Sequence, residues 1–78
     1  MPRYLLNVRA LKEVAAEDGD TRQRDIAERS GVHETVVSRL INGRELSLDA
    51  LMRLSVTYRV SANKLTVIVE DFDQKAAA

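Results

Sequence analysis

Residues 22–43, RQRDIAERSGVHETVVSRLING, constrain this chain more than any other stretch. Ile26 and Ala27 form an apolar pair inside a charged segment. After Gly31, a second segment carries Val37, Leu40 and Ile41 at i, i+3 and i+4. Apolar residues at that spacing build one buried helical face. Val32 directly follows the glycine, where a turn would bury it. The pattern predicts a helix, a tight turn and a second helix whose polar face stays open to solvent.

That arrangement is the sequence form of a helix-turn-helix, and the usual use of the open face is DNA recognition. The stretch resembles the phage repressor and Cro-type (XRE-like) helix-turn-helix regulators. Their Gln-x-x-apolar-Ala opening stands here as Gln23, Ile26 and Ala27. The turn glycine, Gly31, falls eight residues after that glutamine. Val37 and Leu40 take the buried positions of the second helix, which closes with Asn42-Gly43. Downstream, SLDALMRLSVTYRVSANKL is similar to the family's fourth helix and the start of its fifth, so the resemblance spans residues 20–65. Two positions depart from it. Thr21 and Arg22 replace the usual apolar residue and Ser/Thr cap before the glutamine, and His33 stands at the Ser/Thr cap of the second helix. The resemblance implies a mainly α, five-helix, lambda-repressor-like DNA-binding domain.

A chain of 78 residues makes one small domain with a modest core, and such a domain gains from association. Residues 1–70 are read as that domain and 71–78 as a flexible tail. There is no cysteine, hence no disulfide framework and no thiolate zinc site. No apolar run approaches the roughly 20 residues of a membrane span, and the N-terminal MPRYLLNVRALK lacks a secretory pattern. A cytoplasmic protein is expected. The net charge of zero counts against a simple electrostatic DNA binder, but the distribution is uneven. Between Arg22 and Arg44 five arginines face three acidic residues, with no lysine, and Glu70, Asp71 and Asp73 gather at the far end. Arginine suits forked contacts to phosphate and guanine.

Asn7 is a good N-cap, so helix 1 is expected after it, with Val8, Leu11, Val14 and Ala15 on one face through Asp18 and a left-handed Gly19 beyond. The alternative starts that helix at Pro2. Helix 2 is expected over 22–29, capped by Thr21 or Asp20. Helix 3 runs over 34–42 and ends at Gly43. Ser47 caps helix 4, with Leu48, Leu51, Leu54 and Tyr58 on one side, and Ser61 opens a short helix 5 through Leu65. Thr66 to Val69 is a run of four β-branched residues, which favour strands. A lone strand needs a partner. Arg3 to Leu6 is available within the chain, and so is the same strand of a second copy. A small β element from the two chain ends follows. Val67, Ile68 and Val69 are then the dimerisation residues, Val67 and Val69 on one face and Ile68 on the other, one face on the core and one toward the partner.

Bases are read by side chains at the start of a recognition helix and one turn later. Those are Glu34, Thr35, Ser38 and Arg39, and the resemblance maps base reading onto Glu34, Thr35 and Arg39. Glu34 can accept from a cytosine amino group or simply complement the helix dipole. Arg39 can fork onto guanine or hold phosphate. Thr35 and Ser38 are base contacts or ordinary surface. Val36 lies at the groove edge or is partly buried against helix 2. Gln23, at the start of helix 2, is where the family binds phosphate. Asn42 and Arg44 flank Gly43 and reach the opposite backbone, while Arg22, Arg24 and His33 are further backbone candidates.

Catalysis is poorly served. One histidine and no cysteine leave no nucleophile with its base, His33-Glu34 lacks the second histidine of a zinc-protease helix, and no glycine-rich phosphate loop exists. No enzyme activity, cofactor, metal, membrane or small-molecule ligand is expected. The expected partners are double-stranded operator DNA and a second copy of the chain. A protein-binding helix-turn-helix, as in an antitoxin or antirepressor, is the alternative.

Overall fold

Asn7 is where the chain turns from strand to helix. Its backbone is extended, and its side-chain oxygen accepts from the Ala10 N–H at 3.1 Å, which starts α1, Val8–Glu17. Its own N–H donates to the Leu65 carbonyl at 2.7 Å. One residue thus joins the beginning of the fold to its end. The computed structural model describes residues 2–70. In chain order β1, Pro2–Leu6, precedes α1, and α2, Gln23–Ser30, α3, Glu34–Ile41, α4, Leu48–Tyr58, α5, Ala62–Leu65, and β2, Thr66–Glu70, follow it. The fold is mainly helical, with five helices and a two-stranded antiparallel sheet.

The helix ends follow local chemistry. Ser47 Oγ accepts from the Ala50 N–H at 3.2 Å and starts α4. Gly31 ends α2 in the left-handed region, φ 78°, a conformation that costs an L side chain but not glycine. Helix 2 departs from expectation at its start. Arg22, not Thr21 or Asp20, is the N-cap, and the Asp25 carboxylate reaches back to accept from its N–H at 3.3 Å. Asp20 is instead drawn inward, where it is buried.

Leu6, Leu11, Ile26, Val32, Val37, Leu40, Leu54 and Leu65 form the centre of one core, with Ala10, Ala15, Ala50 and Tyr58. One expectation about the core is corrected. Leu48 belongs to the opposite side of α4 and is 73% exposed; Ala50, Leu54 and Tyr58 are the buried residues of that helix. A small residue at 50 lets the helix sit close to the core, and this rotates Leu48 outward. Leu48, Met52 and Val56, at i, i+4 and i+8, then make an apolar stripe facing solvent.

The strands pair as Arg3 with Val69, Tyr4 with Ile68, Leu5 with Val67 and Leu6 with Thr66. The expectation of a strand at both chain ends holds, and a helix starting at Pro2 is ruled out. Exposure alternates along the ribbon: Tyr4 and its partner Ile68 are the more exposed pair, at 52% and 59%, while Arg3, Leu5 and Val69 are half-buried. Val67 and Ile68 are both exposed and Val69 is half-buried. Leu6 and the adjoining Leu65 of α5 are buried in the core, and Tyr4, Thr66 and Ile68 line a cleft with Leu51 of α4 and Ala62 of α5. The other edge of β1 is also engaged. Leu5 forms a bridge with Glu45, and the Leu46 N–H donates to the Tyr4 carbonyl at 2.8 Å.

Candidate nucleic-acid interface

Two side chains of α3 face fully inward, Val37 and Leu40. This leaves Glu34, Thr35 and Arg39 exposed and Ser38 half-buried. Val36 is also half-buried and packs against the core. Helix α3 packs on α2 across the Gly31 turn. Ser30 secures the turn from within: its hydroxyl donates to the Ile26 carbonyl at 2.7 Å and accepts from the Val32 N–H at 3.2 Å. Val32 is buried, as its place after the glycine predicts.

His33 caps α3. Its Nδ1 accepts from the Thr35 N–H at 3.1 Å, so the ring satisfies a helix-end donor despite being an unusual cap. In the neutral ring the proton then sits on Nε2. His33, Arg24 and Glu34 line one shallow cleft beside the turn. Arg24 lies 3.7 Å from Glu28 on its own helix.

Gln23 and Arg22 line a second groove together with Lys12 of α1 and Ile41 at the end of α3. The start of α2 thus lies beside the recognition helix. Asp25 accepts from both the backbone and the guanidinium of Arg22 and raises the arginine's pKa, chiefly through that hydrogen bond. Lys12 was not a sequence candidate. It is brought here only by the packing of α1.

Asn42 and Arg44 sit at the far end of α3. The Asn42 amide donates to the Ser38 carbonyl at 2.8 Å, so part of its capacity serves the helix end, as a residue at that position often does. The Arg44 N–H donates to the Arg39 carbonyl at 3.0 Å, and Gly43, at φ 96°, permits the reversal. Arg39, Asn42 and Arg44 consequently line one cleft of about 620 Å³, with Arg3 and Glu45. Sequence reasoning placed Arg39 with the base-reading residues and overlooked Arg3. The structure gathers both at the same end of α3.

A further cluster escaped the sequence. Asp20, between α1 and α2, bonds the Arg29 guanidinium of α2 and accepts from the Tyr58 hydroxyl of α4 at 2.8 Å. Arg29 also donates to the Asp18 carbonyl at 3.4 Å. The Arg29 hydrogen bond is the largest influence holding Asp20 below the ordinary carboxylate range, and burial opposes it. Burial and the adjacent carboxylate push the Tyr58 phenol well above its usual value. This cluster ties α2 to the end of α4. No group of metal-ligating side chains occurs among the described residues, nor any helix long and apolar enough to cross a membrane.

No curated protein and no solved structure matches the chain. The model of the helix-turn-helix family matches residues 11–65, from the buried Leu11 of α1 to the end of α5. It covers the α2–turn–α3 unit and every helix packed around it. The chain belongs to the XRE-like helix-turn-helix family of DNA-binding regulators.

Proposed function

We propose that the protein is a transcriptional regulator of repressor/Cro type that occupies operator DNA as a homodimer in the cytoplasm. The observation that carries this reading is the open face of α3, with Glu34, Thr35, Ser38 and Arg39 along it, His33 and Arg24 beside its start and Asn42 and Arg44 at its end. Helix α3 enters the major groove. Glu34, Thr35, Ser38 and Arg39 read bases, and Gln23, Arg22, Arg24, His33, Asn42 and Arg44 hold the backbone. Residues 1–70 act as one DNA-binding domain; the expected tail, 71–78, lies outside the described residues. One such module offers few base contacts, so two half-sites are needed for useful specificity.

Strand β2 supports the dimer. One of its edges is taken by β1, and pairing of its second edge with the same strand of another copy would continue the sheet. The exposed Val67 and Ile68 lie on that strand. The test is selection of bound duplexes from a random library, followed by titration against salt. Enrichment of a two-fold symmetric sequence, bound with steep salt dependence, is the expected result. Recovery of no preferred sequence removes the operator.

One observation favours a second reading. The stripe of Leu48, Met52 and Val56 is the kind of surface a protein partner covers. It suits an antitoxin or antirepressor module, and co-purification of a second protein without DNA would favour it.

A further inference from the structure

The cleft at the C-terminal end of α3 is built from two parts of the chain far apart in sequence. One wall is the helix end and its turn, Arg39, Asn42, Gly43 and Arg44; Arg3 of β1 and Glu45 complete it. The backbone dictates this assembly. The Leu5–Glu45 bridge and the Leu46 N–H to Tyr4 carbonyl bond fasten β1 beside residues 45–46. Bridged residues point to one face and side chains alternate along a strand, so Arg3, Leu5 and Glu45 share a face. Among the described residues, Arg3, Arg39 and Arg44 line this one open space together with Glu45. Arginine forks match phosphate oxygens, and gathered like charges favour an anion between them.

We propose that Arg3 is a DNA-backbone contact, acting with Arg44 as a two-sided phosphate clamp at the end of the recognition helix. The inference rests on the DNA-binding reading above and adds the N-terminal strand to its interface. β1 then serves twice: it pairs with β2, and it carries a charge to the nucleic acid. Glu45 opposes the phosphate and sets how tightly the clamp holds.

The test needs no knowledge of the operator, because phosphate contacts are felt on any duplex. A labelled random-sequence duplex is titrated by fluorescence anisotropy over a range of salt concentrations. Arg3→Gln should weaken binding and lower the slope of log affinity against log salt by about 0.9 for each protomer engaged. Arg3→Lys should retain the slope, since it keeps the charge. Glu45→Gln should tighten binding, and it reads the same cleft without altering β1. Arg9→Gln, an equal change of charge on the exposed side of α1, should leave the slope as it is. An unchanged slope for Arg3→Gln overturns the proposal, as does an equal loss from Arg9→Gln or an unchanged affinity for Glu45→Gln. A wild-type chain that binds no duplex at low salt instead fails the DNA-binding reading itself, and the clamp falls with it.

Discussion

The Tyr58 hydroxyl, at the end of α4, donates a 2.8 Å hydrogen bond to Asp20, which precedes α2. Arg29 of α2 bonds the same carboxylate. This single acidic group therefore fixes the helix that supports α3 to the helix that backs it.

Loss of the Tyr58 hydroxyl in Tyr58→Phe should lower stability by about 1 kcal/mol, the usual net value of one such bond, and thermal melts should show a fall of roughly 4–8 °C. The pH dependence has two limits. Asp20 is depressed, so its contribution is complete above the unfolded carboxylate value and is lost as pH falls through the lower folded value. Tyr58 is raised, so its contribution is complete below the ordinary phenol value and is lost as pH rises toward the higher folded value. Denaturant titrations should show Asp20→Asn flattening the acid limb and Tyr58→Phe flattening the alkaline limb. Unchanged limbs would remove the cluster from the stability of the fold.

Two left-handed residues give opposite outcomes. Gly31→Ala places a Cβ at φ 78° and 3.3 Å from the Arg53 guanidinium, and should destabilise by about 1–2 kcal/mol. Arg59 ends α4 at φ 53° with a side chain that this conformation disfavours. Arg59→Gly should stabilise by about 0.5–1 kcal/mol, read as a higher melting temperature.

Arg39→Ala is expected to weaken operator binding more than binding to random duplex, by about 1–3 kcal/mol, with relaxed preference at one base pair. Equal losses on the two duplexes would move Arg39 from base reading to backbone contact, in the cleft it shares with Arg44.

Gln23→Ala and Arg44→Ala should each weaken binding on all sequences. The salt slope should fall by about one unit for Arg44→Ala alone, because glutamine carries no charge. A slope that stays constant for Arg44→Ala removes it from the backbone set.

Ile68→Asp or Val67→Asp should yield monomers that keep their helical signal yet bind operator weakly. The two recognition helices of a dimer must stand about 34 Å apart, one DNA turn, and a monomer engages one half-site only. Sedimentation of the wild type as a monomer at high micromolar concentration would end the dimer proposal.

The sequence revealed features whose causes are local. Asn7 and Ser47 cap their helices because a short polar side chain reaches the nearest free N–H. The run of β-branched residues at 66–69 favours a strand, and RYLL was the partner available within the chain. What stayed hidden depended on packing between distant segments. Asp20 and Tyr58 meet across 38 positions, and no local pattern links them. Leu48 was misplaced because 48, 51, 54, 58 and 50, 54, 58 both obey helical spacing. Only the close approach allowed by Ala50 decides between them. Arg3 became a candidate only once the Leu5–Glu45 bridge set its position.

The ribbon also sets an order of events. Its pairs, from Leu6 with Thr66 to Pro2 with Glu70, join the two ends of the described chain, whereas α2, the Gly31 turn and α3 are neighbours in sequence. Closing a long loop is entropically slow, and local helical contacts form first. The recognition unit can therefore assemble before the ends meet, and the ribbon should be the first part to open in the folded protein. Amides of β1 and β2 are expected to exchange with solvent sooner than those of α1 and α4.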